Sequence, residues 1–201
     1  MPWIRDLRFP ALAAAAAVGL TGPRIQDASA RGALEPPGIA VPGERLSPAS
    51  IGPGVIEGMD VALADVDEEG LKETASLLKG VRALTARVDV SRGADVEAFA
   101  QRILKEFGAV HVVCNNAGVS PLGAVWENTP ADWQWILGVN LWGVIHGVRA
   151  FTPHLIQQDE GHIVNTASVA GLISPPGSGA YNVTKHGVVA LSESLHHDLR
   201  E

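Results

Sequence analysis

The amino-acid sequence predicts an α/β protein built on a doubly wound parallel sheet, and two observations carry that expectation. From Gly58 onward, short apolar runs of strand length alternate with longer stretches whose apolar residues recur at helical spacing. Those short runs are apolar throughout rather than half polar, as expected of parallel strands covered on both faces. No internal repeat is visible, and 201 residues are one domain's worth of chain with ample length for a core.

The chain opens with Arg5 and Arg8 ahead of the run FPALAAAAAVGL, and Ala28-Ser29-Ala30 follows in the manner of a peptidase site. Pro23, Arg24, Gln26 and Asp27 fit a cleavage region poorly, and the run is shorter than the ~20 residues that span a bilayer. Secretion is therefore not expected. Residues 21–56 are rich in Pro, Gly, Ala, Ser and Arg, contain no lysine and show little periodicity, which predicts irregular chain. Residues 1–57 are accordingly set apart, as an atypical and irregular segment, from a domain over 58–201.

Residues 59–65 (MDVALAD) read as a strand ending in an acid, and 67–79 as a helix with Leu71, Ala75 and Leu78 on one side. Residues 81–90 are strand-like. Ser91 is placed to cap a helix whose apolar stripe is Val96, Phe99, Ile103 and Phe107. The short buried run 110–114 (VHVVC) leads into Asn115-Asn116-Ala117-Gly118. A long helix is expected from near Pro130, carrying Ile136, Leu137, Leu141, Val144, Ile145, Val148 and Phe151, with Pro153 expected to end or kink it. Residues 161–166 form a further strand, and a Gly/Pro/Ser loop precedes the last helix over 180–200.

A formal net charge of -7 argues against nucleic acid or an anionic membrane as the main partner. Cys114 is the only cysteine, so no intrachain disulfide can form, which fits a reducing compartment and a cytoplasmic location. The seven histidines are scattered, with neither H-E-x-x-H nor a cysteine pair, and no metal site is expected; His196-His197 read as helix surface. The sequon Asn182-Val183-Thr184 lies inside a predicted helix and is read as coincidence.

The chemistry concentrates between Val164 and Leu191. Tyr181 and Lys185 are four residues apart and share a helix face, so the phenol and the ammonium sit side by side. A free tyrosine loses its proton near pH ~10, and one that acts near pH ~7 needs about 4 kcal/mol of help, which a neighbouring cation can supply. Taken alone, such a pair also suits a solvated helix face. Ser168 likewise suits a strand-end turn, Asn140 a bonded polar group inside a helix, and Asn115-Asn116 an ordinary strand-to-helix loop.

Taken together, Asn115-Asn116-Ala117-Gly118 after a strand, Asn140 in the next helix, Ser168 thirteen residues before Tyr181, and Lys185 resemble the short-chain dehydrogenase/reductase family over 58–201. The resemblance implies a Rossmann-like fold and hydride transfer between a nicotinamide cofactor and an alcohol or carbonyl carbon. It implies Tyr181 as acid and base, and Lys185 as the cation that lowers its pKa and holds the nicotinamide ribose. Ser168 would bond the substrate oxygen, and Asn140 would free a backbone carbonyl for a water-mediated proton exit. Asp65 at the end of its strand would accept bonds from the adenosine ribose and repel a 2′-phosphate, favouring NAD over NADP, with Asp67 a rival for that task and an N-cap the alternative role for Asp65. Asp89 and Val90 would flank the adenine, and Asn115, Ala117 and Gly118 would line the adenosine side.

The resemblance further implies a homo-oligomer paired through the helices near 130–157 and 180–200, where Trp133, Trp135 and Trp142 add to the apolar stripe. Residues 169–179, with Leu172 and Ile173, and residues 119–126 would line a pocket for a hydrophobic alcohol or ketone. The family's opening T-G-x-x-x-G-x-G is not legible. Thr21-Gly22 lacks the later glycines, and Gly52-Pro53-Gly54 leaves no room for a helix before residue 59 and places a proline where phosphate binding needs an amide hydrogen. The sheet is therefore expected to be incomplete at both ends, with the first half-hundred residues not the natural equivalent of the opening unit and the C-terminal end truncated. The alternative function is a non-catalytic remnant or assembly module that cannot bind the dinucleotide.

Overall fold

A computed structural model of the chain describes residues 59–121 and 123–200, together with the backbone of 14–18. Thr21-Gly22, the 28–30 peptidase-like site and Gly52-Pro53-Gly54 lie outside the described residues. The elements in order are β1 (Ala14–Val18), β2 (Asp60–Asp65), α1 (Glu68–Leu77), β3 (Ala83–Arg87), α2 (Gly93–Phe107), β4 (Val112–Asn115), α3 (Pro130–Leu137), a π-helical segment (Gly138–Trp142), α4 (Gly143–Gln158), β5 (His162–Asn165), a 3-10 turn (Val169–Gly171) and α5 (Gly179–Asp198).

The strands form one five-stranded sheet in the order β3-β2-β1-β4-β5, parallel at every pairing. The order reverses between β1 and β4, and in open sheets of this kind the crevice for a ligand lies at the carboxyl ends of the strands beside that reversal. β1 falls within the segment expected to be irregular. Alanine has a weak preference for strands, so AAAAV carries little local signal. Its place comes from backbone pairing on both sides, Ala16 opposite Ala62 of β2 and opposite Val113 of β4.

Burial follows from the strand period of two. In β2, Ala62 and Ala64 face a core with Val96, Phe99 and Ile103 of α2 and Phe151 of α4. Val61 and Leu63 face the other side, against Leu71 of α1. Both sides of the strand are buried, which is why its sequence is apolar without alternation. A smaller cluster of Val119, Ile136 and Ala180 joins the loop after β4 to α3 and α5.

The helix ends differ from expectation at two places. Ser91 does not cap α2: the N-cap is Arg92, without a side-chain bond, and Ser91 instead gives its amide (3.1 Å) and hydroxyl (2.6 Å) to Asp89 Oδ1. A carboxylate two residues back competes for the serine's donors and turns the chain before the helix starts. The long helix from Pro130 is also not one helix. Thr129 and Asp132 form a capping box at its start, but residues 138–142 widen into a π turn, and α4 then runs through Pro153 to Gln158, ending at Asp159 with φ 55°.

Gly147 lets α4 approach β4. A Cβ there would lie 1.9 Å from Asn115 Oδ1, and Asn115 is itself buried and held by Asn165 at 2.9 Å. Alanine is the better helix former by about 1 kcal/mol, whereas forcing a methyl into a filled site costs about 1–3 kcal/mol. The clash decides, because Asn115 has nowhere to move. Gly147→Ala is expected to lower the urea unfolding midpoint, with a net loss of up to about 2 kcal/mol; a higher midpoint contradicts this packing.

Candidate active site

The C-terminal ends of β4 and β5 and the start of α5 bring most of the expected residues together. Lys185 is buried, and its Nζ donates to the carbonyl of Thr166, just past β5, at 2.7 Å. The same ammonium lies 5.6 Å from the centroid of the Tyr181 ring, one helical turn away. Tyr181 is half-buried and sits in the first turn of α5. Burial pushes the Lys185 amine below the ordinary lysine value.

Asn140 lies in the middle of the π turn with no exposed surface. Its Oδ1 accepts from the Val119 amide and its Nδ2 donates to the Val119 carbonyl, both at 2.8 Å, so one side chain satisfies both backbone groups of that residue. Nδ2 also reaches Thr184 Oγ1 at 3.3 Å, and that hydroxyl donates to the Tyr181 carbonyl at 2.7 Å. Gly118 stands at the junction: a Cβ there would be 3.8 Å from Asn140 Oδ1 and 3.9 Å from Lys185 Nζ.

Ser168 is extended (φ -165°, ψ 165°) and its Oγ accepts from the Ala170 amide at 3.2 Å, capping the 3-10 turn. That turn packs on α5 at the level of Lys185, because Gly171 has room for no side chain: a Cβ would be 2.7 Å from the Lys185 carbonyl oxygen. The serine thus fills the strand-end turn role, and the turn it caps packs on the helix that carries Tyr181.

Of the residues expected around adenosine, Asp65, Asp89 and Val90 belong to β2 and the stretch after β3, whereas Asn115, Ala117 and Gly118 belong to the end of β4 and the loop after it, on the Lys185 side of the sheet reversal. Asp65 closes β2, is buried, and accepts from the Asp67 amide at 2.9 Å. Asp67 is the N-cap of α1, taking the amides of Glu69 and Gly70 at 3.1 Å each, so the capping role falls to the rival and not to Asp65. Val90, Asn115, Ala117, Val139 and Gly143 surround one small recess. Asp89 stands at its edge, bonded to Ser91. The two sets of residues meet at Gly118, beside Asn140 and Lys185.

Sequence reasoning missed Thr166, Thr184 and His146. Thr166 acts through its carbonyl, which any residue would offer, so no side-chain signal marks it. Thr184 sits beside Lys185 and three residues after Tyr181, a spacing that faces the same turn. His146 Nδ1 bonds the Val90 carbonyl at 2.9 Å and its ring lies 5.6 Å from that of Trp142, joining α4 to the recess. Asn182, first residue of the sequon, is a buried side chain, a setting a glycan cannot share. Among the described residues no three His, Cys, Asp or Glu side chains gather as metal ligands, and no helix is long and apolar enough to cross a membrane.

Residues 55–201 match the family profile described as short chain dehydrogenase. The chain belongs to the short-chain dehydrogenase/reductase family. It is 40% identical over 141 residues to SadH of Mycobacterium tuberculosis, an oxidoreductase by name, a match that covers 69% of this chain and 51% of that protein. It is 37% identical over 139 residues to the meso-2,3-butanediol dehydrogenase of Serratia marcescens, covering 69% of this chain and 55% of that one. The chain thus spans about half the length of the curated relatives it matches. Among solved structures, a short-chain dehydrogenase/reductase from Burkholderia phymatum in complex with NAD superposes with a TM-score of 0.74 at 42% identity, over 96% of this chain and 62% of that one. A metagenomic short-chain oxidoreductase in complex with NADP gives 0.72 at 28% identity, over 95% and 79%. The fold and the nicotinamide cofactor class are those of the family.

The buried Lys185 makes stability depend on pH in a definite direction. Its folded pKa is below its unfolded one, so between the two values the unfolded chain binds more protons and stability rises with pH. Relative to a Lys185→Met chain, the parent is expected to gain stability as pH rises through the folded pKa toward the ordinary lysine value, measured by urea unfolding between about pH 7 and pH 10. A flat difference would contradict the burial of a charged amine.

Proposed function

We propose that the protein transfers a hydride between NAD and an alcohol or carbonyl substrate, with Tyr181 as acid and base. The observation that carries this reading is Lys185, a buried cation pinned by the Thr166 carbonyl beside the Tyr181 ring. Tyr181 lies in the first turn of α5, one helical turn from that ammonium, so a fixed positive charge and a helix N-terminus both stand near the ring.

In reduction Tyr181 Oη gives its proton to the substrate oxygen, and in oxidation it takes the hydroxyl proton. Ser168 Oγ bonds the same oxygen and steadies the charge that develops there. Asn140 is assigned to the proton exit, which the loosened hydrogen bonding of the π turn supports. Asp65 is assigned to the adenosine ribose and favours NAD over NADP, a reading helped by the use of Asp67 as a helix cap. Asp89, Val90, Asn115, Ala117 and Gly118 are assigned to the adenosine side, and Lys185 also to the nicotinamide ribose. Bound there, the nicotinamide ring supplies or accepts the hydride. The substrate class is a hydrophobic alcohol or ketone, in keeping with the exposed Leu172, Ile173, Val125 and Trp126 on the neighbouring loops. Pairing of copies through the helices near 130–157 and 180–200 is supported by the exposed Trp142, Ile156 and Leu199.

NADH titration followed by fluorescence separates this enzyme from a non-catalytic remnant: binding at micromolar levels supports the enzyme, and none at millimolar levels sinks it. Tyr181→Phe is expected to lower turnover by about 10²-fold or more while leaving NADH affinity within twofold; unchanged turnover refutes the chemistry. Asp65→Ser is expected to raise the KM for NAD and narrow the preference over NADP.

A further inference from the structure

We infer that Asn182, next to Tyr181, is a positioning residue that locks the two substrate-side loops into one unit; its kinetic consequence rests on the function proposed above. The loop before α5 contains Pro175 and Pro176, which have no amide hydrogen and offer only acceptors. A stretch of this kind cannot be stapled by its own backbone donors. The buried Asn182 side chain supplies one, its Nδ2 donating to the Pro175 carbonyl at 2.9 Å, while its backbone amide donates to the Ser178 carbonyl at 2.8 Å. A carbonyl can only accept, so the amide group must face Pro175 with its nitrogen. The Oδ1 atom is then buried without a protein partner among the described residues. The position keeps a polar side chain that only half satisfies itself, and the half that is satisfied is the one that holds the loop.

What the anchor holds is larger than one loop. The Gly123 amide donates to the Gly177 carbonyl at 3.0 Å, and Gly123 forms a parallel bridge with Ser178. Val125 fills the space at Gly179, where a Cβ would lie 2.1 Å from Val125 Cγ2. The segment after β4 and the segment before α5 are therefore joined at Gly123 and Val125 and tied to the helix of Tyr181 through Asn182. These segments carry the exposed Val125, Trp126, Leu172 and Ile173, an apolar wall whose second part is the stretch of chain between Ser168 and Tyr181. Fixing the wall relative to Tyr181 governs how the apolar part of a substrate is held, without touching the reacting atoms.

Asn182→Leu keeps the branched shape and removes both the donor and the unpartnered oxygen; Asn182→Ser, smaller, leaves the donor an atom short and serves if the first variant does not fold. Hydrogen exchange of the Gly123 amide is expected to quicken about five- to tenfold, the effect of one lost hydrogen bond, with Val113 and Cys114 in β4 unchanged. With NAD and 2-octanol as probe, KM for the alcohol is expected to rise by a similar factor, kcat to stay within twofold and NADH affinity to hold. Unchanged Gly123 exchange in both variants overturns the anchor. Faster exchange with an unmoved KM, or an equal loss in kcat and NADH binding, overturns the positioning role. A parent chain that binds no NADH counts against the proposed function alone, and the exchange rates then decide the anchor.

Discussion

One buried carboxamide constrains the corner around Tyr181 and Lys185. Asn140 has no access to water, and each polar atom left unbonded in such a place costs about 1–3 kcal/mol, so its partners must be where it points. It spends that requirement on the two backbone groups of Val119 and on Thr184. An ordinary α-helix through residues 138–142 would aim the side chain elsewhere; the extra residue of the π turn re-aims it, as π bulges do at functional sites. From this clasp follow the position of the loop after β4 and the seating of Thr184 beside Lys185.

A second tier ties the clasp to the sheet. Asn115 at the end of β4 bonds Asn165 at the end of β5, and Asn165 Nδ2 donates to Ser192 Oγ on α5 at 3.0 Å. The Thr166 hydroxyl donates to Asn116 Oδ1 at 2.8 Å while its carbonyl takes the Lys185 ammonium. Polar strand ends are thus consumed in holding α5 against the sheet, and the helix bearing Tyr181 cannot slide without breaking several of these bonds at once. Such networks are worth most when every link is satisfied.

Much of this was legible because burial and period leave marks in sequence. The stripe Val96, Phe99, Ile103 announced α2, and the apolar run 59–65 announced β2 as a strand covered on both faces. Tyr181, Lys185, Ser168 and Asn140 were legible as a spaced set, and the fold brings their elements together. Other features leave no mark. β1 is nearly all alanine and owes its conformation to neighbours on both sides. The π turn has no composition of its own, Ser91 lost its cap to a nearby carboxylate, and Thr166 acts through a backbone atom that every residue possesses.

The central place of β1 has a consequence for how the sheet coheres. In the described strands, β2 and β3 form one pair, β4 and β5 another, and the two pairs meet only through the five residues Ala14–Val18. The earliest of the described strands is thus the keystone between two half-sheets whose strands come later in sequence. Until it docks, the β2 and β4 edges are open parallel templates able to recruit strands of other chains. The union of Asp65 on one half with Tyr181 and Lys185 on the other therefore rests on pairings between residues far apart in sequence, the kind that cost the most loop-closure entropy.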